Sequence, residues 1–328
     1  MRNEQSVTGG AAPATPVAQF ASDVQYYLAL QPRQLPSRYF YDALGSALFE
    51  AICELPWYRI TRAELRLLEA HGRQILARVP RLSTLVELGP GNGAKLSTLL
   101  AGGRAELPRL RVHLIDVSPT ALTAAARSVA AVDDIEIALH EAPYEVGLAE
   151  VTARRAPGGR TLALFLGSNL GNFDRPGADA FLHGIRAALR EGDALLLGAD
   201  LVKSERQLRL AYDDPLGVTA AFNLNLLVRI NRELGGTFDL GQFAHRAVWN
   251  AAESRVEMHL VSRRRQHVRV AAADLAFRLE EGESIWTESS YKYEPAAIVD
   301  LLAAAGFGLM HQWLDPEDGF ALTLVEAI

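Results

Sequence analysis

The residues best suited to chemistry gather first in Val86-Glu87-Leu88-Gly89-Pro90-Gly91-Asn92-Gly93-Ala94-Lys95. The run follows an apolar, strand-like segment and precedes a helical one. Glycine at such a junction lets the chain turn sharply and lets a ligand approach the backbone with no Cβ in between. Three readings fit. The plainest is a tight strand-to-helix turn. The second is a dinucleotide site: Gly89-x-Gly91-x-x-Ala94 satisfies the Gly-x-Gly-x-x-Gly/Ala pattern, with an acid, Asp116, about 20 positions on. The third is an S-adenosylmethionine site, in which Glu87 faces the charged methionine end and Asp116 grips the ribose hydroxyls. Lys95, at the helix start, would then face the donor's carboxylate, aided by the helix N-terminus. Asp116 serves the last two readings equally. Glu87 leans towards the methyl donor, and so does the long helical segment before the first strand.

Residues of this kind need strand ends brought to one edge, and the middle of the chain has the pattern for it. Leu85–Leu88, Leu110–Asp116, Ile135–His140, Leu162–Phe165 and Ala194–Leu197 read as strands. Helical patterns over Ala94–Leu100, Pro119–Val129 and Gly177–Leu189 lie between them. Short apolar runs separated by helices predict a doubly wound, mostly parallel α/β sheet. Before it, Tyr41–Leu55 and Thr61–Val79 have helical spacing, broken at Pro56, and Thr61 with Glu64 fits a capping box. After it, Gln207–Leu234 reads as one helix. Phe238–Phe243, Ala247–Asn250, Val256–Arg263 and Gln266–Val270 read as partly antiparallel strands. Ala296–Ala305 is a helix ended by Gly306, and Phe320–Val325 a terminal strand. The expected organisation is a flexible tail over 1–19, a helical part of a substrate lobe over 20–80 and a Rossmann-like core over 81–202. A smaller substrate-binding lobe follows over 203–290, and 291–328 returns to the core.

Composition narrows the function classes. The chain has 328 residues, of which 49% are hydrophobic and 22% charged, the balance of a globular enzyme. A net charge of -6 creates no general attraction for nucleic acid or an anionic membrane. No run is long and apolar enough to read as a bilayer span, and Met1–Gln19 lacks the pattern of a secretory leader. The single cysteine, Cys53, excludes an internal disulfide and a cysteine-based zinc site. His71, His140, His183, His245, His259, His267 and His311 show no metal-ligand spacing. A cytoplasmic, monomeric, metal-free protein is the expectation.

Four further segments are more specific than the glycine loop. They are Phe40-Tyr41-Asp42-Ala43-Leu44-Gly45-Ser46, Leu55-Pro56-Trp57-Tyr58-Arg59-Ile60-Thr61-Arg62, Phe165-Leu166-Gly167-Ser168-Asn169-Leu170-Gly171-Asn172, and Ala211-Tyr212-Asp213-Asp214 continuing to Gly217-Val218-Thr219-Ala220-Ala221-Phe222-Asn223. With the loop, they resemble the L-histidine Nα-methyltransferase family of ergothioneine biosynthesis, over nearly the whole chain from about residue 24. The resemblance implies a class I methyltransferase domain with a substrate lobe, S-adenosylmethionine as co-substrate, and trimethylation of the histidine α-amino group to hercynine. It also implies roles. Tyr58 and Tyr212 would hold the substrate carboxylate, Asn172 the amine and carboxylate, and Tyr41 would stand by the amine. Glu288 and Ser290 would read the imidazole, with Met258 packed on the ring. On the donor side it implies Glu87, Gly89, Gly91, Gly93, Lys95 and Asp116, with Tyr144 stacking on adenine. Pro143 departs from the family's usual acidic residue before that aromatic. It offers neither a side-chain acceptor nor an N–H, which leaves Glu141 as the nearby acid for adenine. The segment Trp57-Tyr58-Arg59-Ile60 also differs from the family's more usual Tyr-Tyr-Pro form.

Three rivals remain beside this reading. One is the same chemistry on an aromatic amino acid or indole amine. An apolar ring, however, would leave Glu288 nothing to pair with. The others are a nicotinamide-dependent oxidoreductase and a non-catalytic relative that binds ligand only.

Overall fold

The computed structural model describes residues 15–103, 109–154 and 158–328. The first elements are α1 (Pro16–Ala29), β1 (Arg33–Gln34), α2 (Ala43–Glu54) and α3 (Ile60–Ala77). The alternating part follows as β2 (Leu82–Leu88), α4 (Ala94–Gly103), β3 (Leu110–Asp116), α5 (Pro119–Val129), β4 (Ile135–Glu141), α6 (Tyr144–Ala153), β5 (Arg160–Phe165), α7 (Arg175–Ala188) and β6 (Ala194–Asp200). Then come α8 (Glu205–Tyr212), α9 (Val218–Leu234), β7 (Phe243–Asn250), β8 (Arg255–Ser262), β9 (Gln266–Val270), β10 (Leu275–Leu279) and β11 (Ser284–Tyr291). The chain closes with α10 (Pro295–Ala304), β12 (Phe307–Asp315) and β13 (Phe320–Ala327).

A seven-stranded sheet, ordered β12-β13-β6-β5-β2-β3-β4, forms the Rossmann-like α/β core. Strands β2 to β6 run parallel, while β13 is antiparallel to both β6 and β12. The parallel strands are apolar because helices cover both faces; every residue of β6 is buried. The order reverses between β2 and β5, and open α/β sheets bind ligands outside the strand ends at such a point. A second sheet, β1-β11-β8-β7, carries α8 and α9 packed on β7 and β8, and its strand β11 meets the turn after β5 directly. The long buried network from Phe20 through Leu226 and Ile285 to Leu324 runs through both sheets.

Several expectations need correction. Glu64 does not make a capping box. Helix α3 begins at Ile60, Arg59 gives no side-chain cap, and Glu64 lies fully buried one turn in. The single helix expected over Gln207–Leu234 is two. Gly217 takes a left-handed φ of 75°, and Asp214 caps α9 by accepting from the backbone N–H groups of Leu216, Val218 and Thr219. The strand expected over Phe238–Phe243 is a loop with a 3-10 turn at Leu240–Gln242, and only Phe243 is in a strand, opening β7. Helix α1 starts at Pro16, capped by the Thr15 hydroxyl, inside the stretch read as a tail. The rest of that tail lies outside the described residues. Among the described residues no helix is long and apolar enough to cross a membrane.

Candidate active site

The sequence-marked donor residues converge at the carboxyl edge of β2 and β3. Gly89, Gly91 and Gly93 all take left-handed φ values, 72°, 56° and 79°. A Cβ on Gly93 would lie 2.8 Å from the Ala125 carbonyl oxygen, and one on Gly89 would lie 2.7 Å from the Tyr144 hydroxyl. Gly91 differs: a Cβ there would meet nothing within 4 Å, so its backbone faces open space. Glu87 lies one residue before the end of β2 with its side chain buried and its Oε2 without a hydrogen-bond partner. Burial pushes its carboxyl up to about 8, against the pull of Lys95. A buried carboxylate oxygen left bare beside a glycine cradle suits a ligand that brings its own positive charge. Asp116, at the end of β3, accepts from the Ser118 N–H at 2.8 Å, and desolvation raises its carboxyl. Glu141 is its in-register neighbour on β4.

Two donor residues have partners that the sequence does not indicate. Lys95 is no free cation: its Nζ is 2.8 Å from Glu64 Oε2. Burial alone would pull the ammonium down, but Glu64 outweighs it and the net shift is upward. An ammonium carries three donors, so this pairing does not exhaust it. Tyr144 is held by neighbouring rings. Its ring meets Phe165 and Phe181 edge-on, and its hydroxyl points at the Gly89 turn. Pro143 occupies the N-cap position of α6 without a capping side chain.

The residues that the resemblance gives to the acceptor come from distant parts of the chain and meet in one cavity. Tyr41, Tyr58, Asn172, Tyr212, Met258, Glu288 and Ser290 all line it. Asn172 arrives on the turn after β5, where Gly171 is needed: a Cβ there would lie 2.7 Å from the Tyr291 carbonyl oxygen. Met258 and Glu288 are direct cross-strand neighbours on β8 and β11. The register slips between Trp286 and Glu288, and the extra residue, Thr287, is tied to Asn223 and to the Met258 carbonyl. A bulge of this kind re-aims the side chains beyond it, here turning Glu288 and Ser290 to the cavity. Desolvation raises the Glu288 carboxyl to about 7, with Lys292 opposing. Burial holds the Tyr41 and Tyr58 phenols well above their usual range, so both stay protonated at neutral pH.

Sequence reasoning missed the residues that join the two ends. Both Glu64 carboxylate oxygens accept the Gly167 N–H at 2.9 Å, so α3 fixes the β5 turn and Lys95 with one side chain. Asn169 lines the cavity, and its Nδ2 is 3.4 Å from where a Gly89 Cβ would stand. It therefore sits between the two clefts. Lys292 and Asp200 form a buried ion pair at 2.9 Å under Tyr212 and Ser290. The only sequence signal for Asn169 was its place in the Gly167–Asn172 run. Glu64 and Lys292 gave none, because a buried charge looks like a surface charge until its partner is known.

The pattern of a family described as histidine-specific, SAM-dependent methyltransferases matches residues 20–327. The chain is 43% identical to a histidine N-alpha-methyltransferase of Mycolicibacterium smegmatis over 304 residues, covering 92% of this chain and 93% of that one. It is equally similar, at 43% over 304 residues with the same coverage, to the protein of that name from Mycobacterium tuberculosis. An ergothioneine biosynthesis protein 1 of Neurospora crassa is 27% identical across 78% of this chain, which spans 31% of that longer protein.

Proposed function

We propose, from the family to which this chain belongs, the histidine-specific S-adenosylmethionine-dependent methyltransferases, that it methylates the α-amino nitrogen of L-histidine through to the trimethylated betaine, hercynine. The observation that carries the reading is the paired floor of the acceptor cavity: Glu288 and Ser290 on one strand with Met258 opposite. A carboxylate and a hydroxyl can satisfy the two nitrogens of an imidazole, and a thioether can pack on its face. An indole offers one N–H and would strand one of the two polar groups. Family membership displaces the nicotinamide reading of the glycine loop.

The donor, when bound, supplies an activated methyl carbon, so the protein's share is placement. Glu87 would take the donor's ammonium, the turns at Gly89, Gly91 and Gly93 its backbone-facing side, and Asp116 the ribose hydroxyls. Lys95, braced by Glu64, would reach the donor's carboxylate, and Tyr144 would close the inner wall. At the other end, Tyr58 and Asn172 would hold the histidine carboxylate, and Asn172 with Tyr41 would orient the amine; Tyr212, whose sequence-implied part in holding the carboxylate is ruled out because its only O–H is donated to Ser290, would serve as wall. Tyr41 orients as a neutral phenol rather than taking the proton, since burial keeps it protonated. The amine proton therefore leaves to solvent before each transfer. Holding the lone pair and the methyl carbon at near-attack distance is worth several orders of magnitude in rate.

The finer setting we read from the sequence is a cytoplasmic monomer without nucleic-acid or membrane partners, acting in ergothioneine biosynthesis. The test is a methylation assay with histidine and, separately, tryptophan, with products resolved by mass spectrometry. Hercynine accumulating from histidine supports the reading; preferential methylation of tryptophan would replace the substrate.

A further inference from the structure

Beneath the acceptor cavity lies a closed set of polar groups that methyl transfer does not itself use. Lys292, buried just past the end of β11, sends its Nζ to Asp200 Oδ2 at 2.9 Å, to the Tyr212 hydroxyl at 2.8 Å and to Ser290 Oγ at 3.0 Å. An ammonium has three donors and no lone pair, so these bonds use it completely. Tyr212 in turn donates its hydroxyl to Ser290 Oγ at 2.8 Å. A serine oxygen has two lone pairs, and Lys292 and Tyr212 fill both. What Ser290 can still offer the cavity is its own O–H.

We propose that Lys292 is a positioning residue that sets the hydrogen-bond polarity of the side-chain pocket. With Tyr212 it leaves one donor, Ser290, beside one acceptor, Glu288, so the pocket takes a neutral ring bearing one N–H and one bare nitrogen. It turns away the doubly protonated ring. The proposal rests on histidine being the substrate. Without Lys292, Ser290 regains a lone pair, and a ring with two N–H groups can face Glu288 and Ser290 together. The charged and titratable groups around this set are Asp200, whose other oxygen holds Lys203 at 2.6 Å, Tyr212 and Glu288, with Tyr41 and Tyr58 lining the same cavity.

The experiment is calorimetric titration of the full chain, saturated with S-adenosylhomocysteine, using histidine and β-(1,2,4-triazol-3-yl)alanine. The triazole keeps one N–H and bare nitrogens but stays neutral, whereas imidazole becomes cationic on moving from about pH 7.5 to about pH 5.5. Glu288 titrates in the unmodified protein and in the variant alike, so the reading is the change in this difference between the two proteins. In the unmodified protein the histidine Kd should rise about tenfold more than the triazole's over that interval. In Lys292→Met the difference should close to less than about threefold. A purely structural role would weaken both ligands and leave the difference standing. If Lys292→Met no longer binds S-adenosylhomocysteine, Tyr212→Phe, which frees one Ser290 lone pair and leaves the Lys292–Asp200 pair intact, is read in the same way. Equal rises in the unmodified protein, or an unchanged difference in the variants, overturn the proposal. Failure of histidine to bind at about pH 7.5 instead overturns the substrate reading, and the proposal with it.

Discussion

The cleft proposed for the donor and the cavity proposed for the acceptor share Asn169 as a neighbour but are assembled in opposite ways. The donor cleft comes largely from one stretch, Glu87 to Lys95, whose turn geometry is dictated by glycines with positive φ. Its key carboxylate, Glu87, is left unpaired on one oxygen. The acceptor cavity draws on α2, the β5 turn, α8, β8 and β11, and its serine and tyrosine are tied up by a buried lysine. A ligand that carries its own charges can be met by a bare carboxylate and an open backbone. A ring that must be told from other rings needs donors and acceptors fixed in advance.

The largest test of this contrast is Glu64, the side chain common to both ends. Glu64→Ala leaves Lys95 buried without its partner and frees the Gly167 N–H. We expect a loss of about 3–5 kcal/mol in chemical denaturation, with donor and acceptor affinity falling together. Loss at one end alone would mean the two clefts are held independently. Next is Glu288→Ala, which should weaken histidine about 100-fold, the scale of a lost charge-assisted hydrogen bond with its stranded partner. S-adenosylhomocysteine titration should be unchanged, and a matching donor loss would erase the distinction between the sites.

A tenfold effect is expected from pH. Glu87 is neutral below about 8, and a donor ammonium favours its ionised form. S-adenosylhomocysteine affinity should therefore increase about tenfold as pH rises from about 6.5 to about 8.5, and Glu87→Gln should flatten that rise. In the free protein the same shift, from 4.5 to about 8, has the opposite sense. The stability it confers is full below 4.5 and is lost as pH rises through 8. Thermal melts with and without the donor analogue would show the two slopes. The smallest effect is Gly91→Ala. Its Cβ meets no protein atom, so only the left-handed backbone is strained, at about 1 kcal/mol. Donor affinity should fall severalfold and histidine affinity should hold.

The same contrast explains what the sequence disclosed. Strand β3 and helix α5 were read to the residue, because short-range periodicity and the Ser118-Pro119 start encode them locally. The glycine loop was legible for the same reason. The acceptor residues emerged only through ordered motifs spread over the chain, since no local rule joins Tyr41 to Glu288. Glu64 looked like a cap because Thr61 stands three residues before it. Its true partners, Lys95 and Gly167, lie in other elements. Strand β12 escaped because Leu309 and Leu314 face outward, so Phe307–Asp315 lacks clean alternation. The Gln207–Leu234 helix was over-extended because its apolar spacing continues across Pro215 and Gly217, where Asp214 restarts it.

One small feature governs how the chain can reach this state. The two-residue strand β1 joins the second sheet by parallel pairing of Arg33 with Ile285 and Gln34 with Trp286. Arg33 is further tied to Glu283 across 250 residues of sequence. A growing chain therefore presents α1 and β1 long before the strand that receives them exists. Contacts of such separation form late and slow the search. The β2–β6 core can collapse first on neighbouring strands, while β1 waits for β11.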